Sequence, residues 1–128
     1  GGSINGVIAH EDYEGIKNDD GDVFISGGTI RILANGNGSR GIQTDGNMTI
    51  TADAGNTNIY VEANGGLCTD PADSVDPHRC MGIKVGQNLT ITGGTIQVKA
   101  TGNKARQIRV NGVYSNTGGT VDAIISQP

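Results

Sequence analysis

Apolar and polar residues alternate along this chain in short runs of period two, and the runs recur. In MGIKVGQNLTITGGTIQVKATG, from Met81 to Gly102, Ile83 and Val85 flank Lys84, Leu89 and Ile91 flank Thr90, and Ile96 and Val98 flank Gln97. Gly86, Asn88, Gly93 and Gly94 fall between the runs. Alternation bounded by glycine and asparagine predicts three short strands separated by tight turns. The same template fits GIKNDDGDVFISGGTIRILANG from Gly15, GIQTDGNMTITADAGNTNIYVEANG from Gly41 and QIRVNGVYSNTGGTVDAIIS from Gln107. Its leading isoleucines, Ile16, Ile42, Ile83 and Ile108, stand 26, 41 and 25 residues apart. The long interval contains insertions of four residues before Ile59 and twelve after Val61, and removing both restores 25.

A fixed period of this size predicts repeats that bury their apolar faces only against their neighbours. The fold class expected is all-β: a right-handed parallel β-helix, a solenoid of four to five rungs of about 25 residues with three short strands per rung. Strands are predicted near Ile16 to Asn18, Val23 to Ser26 and Thr29 to Ala34, and the later rungs are laid on these. Val7, Ile8 and Ala9 read as the end of an incomplete first turn. The inward ladders expected are Ile16/Ile42/Ile83/Ile108, Val23/Met48/Leu89/Val113, Ile25/Ile50/Ile91/Ser115, Ile30/Ile59/Ile96/Val121 and Ile32/Val61/Val98/Ala123. Residues 1–128 read as one domain with a cysteine-bracketed loop insertion at about 66–80.

Composition agrees with a narrow core of aliphatic rows: 22 glycines, one phenylalanine and no tryptophan suit frequent turns better than a globule of large side chains. A net charge of -4 argues against a nucleic-acid partner, and no apolar run is long enough for a membrane span. Cys68 and Cys80 bracket the inserted loop. A disulfide there would remove roughly 3 kcal/mol of unfolded-chain entropy. That reading is favoured over two reduced thiols, and it implies an extracytoplasmic home: secreted, cell-surface or periplasmic.

Outward positions carry the candidate chemistry. Lys17, Gln43, Lys84 and Arg109 follow the leading isoleucines, and Glu14, Arg40, Met81 and Arg106 precede them by two. Stacked rungs would gather these cations into one column, which reads either as a stripe for an acidic polymer or as a solvated face. Two further outward rows are Phe24/Thr49/Thr90/Tyr114 and Arg31/Tyr60/Gln97/Asp122, with Tyr60 the candidate platform for a sugar ring. Asp19, Asp20 and Asp22 stack over Asp45, a set of hard oxygen ligands of the kind Ca2+ takes. Asp70, Asp73 and Asp76 form a second acidic group in the insertion. His10 and His78 have no nucleophile in a recognisable motif beside them, so catalysis finds little support. Lys17 beside Asp19 to Asp22 keeps a calcium-dependent polysaccharide lyase as the alternative, and a structural or adhesive surface protein is the third class. A longer parent chain or a stacked oligomer fits the same repeats.

The motifs DYEGIKNDDGDVFISGGTI, GIQTDGNMTI and GIKVGQNLTITGGTIQVKATG, with Gly-Gly-Thr at 27–29, 93–95 and 118–120, resemble a carbohydrate-binding domain family. The likeness covers about residues 8 to 126. It implies a secreted bacterial right-handed β-helix, similar in fold to calcium-dependent pectate lyases but acting as a non-catalytic binder of acidic, pectin-like polysaccharide. The family's frequent Asp-Asp-Gly-Ile is replaced here by Ser39-Arg40-Gly41-Ile42, Cys80-Met81-Gly82-Ile83 and Ala105-Arg106-Gln107-Ile108, none of which carries a carboxylate.

Overall fold

The computed structural model describes residues 2–10, 13–67 and 79–128. Among them it is all-β, without a helix. The strands are β1 (Ser3–Ile8), β2 (Glu14–Asn18), β3 (Val23–Ile25), β4 (Gly28–Ala34), β5 (Arg40–Thr44), β6 (Met48–Ile50) and β7 (Thr57–Ala63). They continue as β8 (Met81–Val85), β9 (Leu89–Ile91), β10 (Thr95–Ala100), β11 (Arg106–Val110), β12 (Tyr114–Asn116), β13 (Thr120–Asp122) and β14 (Ile125–Ser126). Every third strand enters the same sheet. Sheet A runs β1-β4-β7-β10-β13, sheet B runs β2-β5-β8-β11-β14 and sheet C runs β3-β6-β9-β12. All pairings within the three sheets are parallel, so the chain visits B, C and A in turn and rises by one strand per visit.

Alternation decides which side chains fill the space between the sheets. Ile42, Ile83 and Ile108 form one wholly buried row, Met48 and Leu89 a second, Ile50 and Ile91 a third, and Ile59, Ile96, Val61 and Val98 line sheet A from within. Burying such a side chain is worth about 1.5–3 kcal/mol, so these rows supply most of the stabilisation. Glycines beside the leading isoleucines make room for them. A Cβ on Gly82 would overlap Val98 Cγ1 and meet the Gln107 carbonyl oxygen at 2.8 Å. In the Gly-Gly-Thr turns, Gly28 (φ 91°) and Gly94 (φ 98°) adopt a left-handed backbone on entering sheet A, which explains the second glycine.

One corner is tied by side chains. Asp22 Oδ1 accepts the Asn47 N–H (2.8 Å), Asn47 Oδ1 accepts the Asn88 N–H (3.0 Å), and Asn88 Oδ1 accepts the Val113 N–H (2.9 Å). This column corrects the expected register of the last rung. Val113 occupies the corner position and is 64% exposed, so Tyr114 pairs with Leu89, Ser115 with Thr90 and Asn116 with Ile91. The ladder expected to end in Val113 therefore ends in Tyr114, and the outward row Phe24/Thr49/Thr90 ends in Ser115. At the amino-terminal side, the expected remnant around Val7 is a six-residue strand paired along its length with β4.

The expected Cys68–Cys80 disulfide is not formed. Cys80 is a free, wholly buried thiol turned into the core, donating to the Ala34 carbonyl oxygen (3.3 Å) and lying 3.6 Å from Ser39 Oγ. Burial pushes its pKa up. Leu67 and Arg79 pair as an antiparallel bridge. Cys68, Asp70, Asp73, Asp76 and His78 lie outside the described residues.

Candidate functional site

Sheet B brings five of the nine lysines and arginines together on its outward side. Lys17 pairs with Gln43, Gln43 with Lys84 and Lys84 with Arg109, while Glu14 pairs with Arg40, Arg40 with Met81 and Met81 with Arg106. The members differ in surroundings. Lys17 Nζ lies 3.6 Å from Glu14 and 3.5 Å from Asp19, and these carboxylates raise its pKa. Arg40 is only 5% exposed although it stands on the outward face; it pairs with Glu14 at 3.8 Å and donates to Gln43 Oε1 at 3.4 Å. Gln43 is buried with it. Lys84 is half-buried, and desolvation, then Arg40, then Arg109 outweigh Asp45 to lower its pKa. Arg109 donates through Nε to Asn111 Oδ1 (3.1 Å), and desolvation with Arg79 and Arg109 nearby lowers the pKa of Arg106.

Tyr60 is not on this face. It stands outward on sheet A in the row Arg31, Tyr60, Gln97, Asp122. Its hydroxyl donates to Glu62 Oε2 (2.5 Å), and Asn64 Nδ2 donates to Glu62 Oε1 (3.2 Å) and to Asn35 Oδ1 (2.9 Å). The bond to Glu62 raises the Tyr60 pKa, and the bonds from Tyr60 and Asn64 lower that of Glu62. Arg31 from β4 and Lys99 from β10 lie over the ring, 5.7 and 5.9 Å from its centroid. The ring is thus clamped by cations from both neighbouring strands rather than left bare. Glu62 and Lys99 were not singled out from the sequence; their signal was their place two residues beyond Tyr60 and Gln97 on paired strands.

The acidic corner is engaged in contacts of its own. Asp19 faces the Lys17 ammonium, Asp22 Oδ1 is taken by the Asn47 N–H, and Asp20 N–H is turned onto Asn18 Oδ1 (3.2 Å). Among the described residues no group of three or more histidine, cysteine, aspartate or glutamate side chains converges, so Asp19, Asp20, Asp22 and Asp45 do not gather as a ligand set.

No helix among the described residues is long and apolar enough to cross a membrane. No curated protein and no solved structure matches the chain. The profile of one family, described as carbohydrate-binding domain-containing protein, matches residues 3–127, and the chain belongs to that family.

Proposed function

We propose that the chain is a non-catalytic module that binds an acidic, pectin-like polysaccharide along the outward face of sheet B, outside the cytoplasm. The observation that carries this is the direct pairing of Lys84 with Arg109 in a protein whose net charge is -4. Like charges opposite one another on paired strands cost stability, and a polyanion lying across the strands offsets that cost. Membership of a carbohydrate-binding family supports the polymer being a glycan. The strand order supports a right-handed parallel β-helix, because crossovers between parallel strands of one sheet are almost always right-handed. Such a stack sets successive strands about 4.8 Å apart, so Lys84 and Arg109 stand one step apart and Lys17 two steps from Lys84, a ladder for carboxylates along a chain.

The lyase alternative is weak at its own corner. A general base must give up its proton near neutral pH, and Glu14 and Asp19 hold the Lys17 ammonium in the charged form. Affinity electrophoresis through gels containing polygalacturonate tests the proposal. Migration should be retarded, retardation should fall with added salt, and chelation of Ca2+ should leave it unchanged. The double variant Lys84→Gln/Arg109→Gln should migrate as freely as in an empty gel. Full retardation of that variant would sink the reading.

A further inference from the structure

The corner where sheet C passes into sheet A carries a groove of different character from the cationic face. Between Ile50 and Ile59 the turn is four residues longer than its counterpart between Ile25 and Ile30. The extra residues are held in place: Ala54 N–H donates to the Ser26 carbonyl (2.8 Å), Gly28 N–H to the Asn56 carbonyl (2.9 Å), and Thr57 Oγ1 to the Thr51 carbonyl (2.6 Å). They stand as a wall with a cleft on either side. One, of about 340 Å3, opens between Ala52, Asn56, Asn58 and Thr95. The other, of about 360 Å3, opens between Ser3, Thr29, Gly55 and Asn58.

Two more clefts continue these. One of about 210 Å3 shares Thr29, Asn58 and Thr95 and ends on Tyr60. One of about 420 Å3 shares Ser3 and Thr29 and ends on Phe24, which is 64% exposed. The lining residues they have in common set the four side by side as one groove across β1, β4, β7 and β10, into which the longer turn projects. Its floor is a register row, Ser3, Thr29, Asn58 and Thr95, each paired with the next. Of the described side chains lining the groove only Arg31 is charged, and its guanidinium already lies over Tyr60.

We propose that this groove is a second binding site, for an uncharged oligosaccharide lying across the strands along Ser3, Thr29, Asn58 and Thr95, with Phe24 on one side of its path and Tyr60 on the other. Hydroxyls and amides repeated at strand spacing match the donors and acceptors of successive sugar rings. Phe24 offers an apolar surface for the C–H face of a ring on its side. A carboxylated sugar is disfavoured here, because desolvating a charge against neutral groups is costly. The site is independent of the cationic face, so one can fail without the other.

The test is a two-dimensional amide-resonance titration of the 15N-labelled protein with β-1,4-linked gluco-, manno- and xylo-tetraose. At least one sugar should shift the amides of Thr29, Asn58 and Thr95, insensitively to salt. Asn58→Ala should weaken that binding by about tenfold, since the sugar hydroxyl it serves is left unpaired. Thr95→Val should weaken it in the same direction, and each spectrum reports whether the variant is folded. Retardation by polygalacturonate should be unaffected in both. Absence of shifts with all three sugars, shifts confined to sheet B, or full binding by both folded variants would overturn the proposal.

Discussion

Lys84 on β8 and Arg109 on β11 stand directly opposite one another, with the buried Arg40 beside them, and burial first, then Arg40 and Arg109, lowers the pKa of the half-buried lysine. Cross-strand pairs of this kind are worth up to about 1 kcal/mol in either direction. Lys84→Met should therefore raise the melting temperature while weakening retention by polygalacturonate. The sign with pH follows. A folded pKa below the ordinary lysine value of 10.5 means that the unfolded chain binds more protons at alkaline pH approaching 10.5. The penalty that the Lys84 ammonium places on the folded state should fade across that window, so the gap between the native protein and Lys84→Met should close. Thermal melts of both proteins along an alkaline pH series check this; a gap that widens would refute it.

Gly82 has no room for a methyl group, because Val98 Cγ1 and the Gln107 carbonyl occupy the place. Gly82→Ala should cost about 3 kcal/mol in chemical denaturation. Adding Val98→Ala should recover part of the loss, although Val98→Ala alone is destabilising. Two strictly additive losses would show that the overlap with Val98 is not the cause.

The asparagine column at the B–C corner should be a stability element. Asn88→Ala removes the acceptor of the Val113 N–H and should cost about 1–2 kcal/mol, with faster hydrogen exchange at Val113. Asn88→Asp keeps an acceptor oxygen and should lose less. Equal losses in the two variants would argue against the hydrogen bond as the source.

Cys80 should behave as a core residue. Burial and the raised thiol pKa keep it unreactive, so alkylation followed by peptide mapping should label it only after unfolding. Reductant should leave the intact mass unchanged. A mass gain of about two hydrogens on reduction would restore the bridge that the buried thiol contradicts.

What the sequence by itself determined was the alternation and its period. Ile42, Ile83 and Ile108 are legible as one row because a strand's side chains have period two and the repeat returns each isoleucine to the same place. The row Lys17, Gln43, Lys84 and Arg109 follows from that register without further information. The last rung was not legible, because Val113 and Tyr114 are both plausible inward residues and a slip of one exchanges the faces; the bond from Val113 N–H to Asn88 Oδ1 decides it. Nor does any local pattern tell that Arg40 is buried on an outward face, or that Cys80 donates to the carbonyl of Ala34, 46 residues away, rather than clamping a loop. The groove is of the same kind. Four extra residues before Ile59 are visible in the sequence, but they become a wall only by bonding to Ser26 and Gly28 on the neighbouring rung. A strand's own residues determine which side faces the core; what lies beside each outward side chain comes from rungs some 25 residues away, and only their stacking settles it.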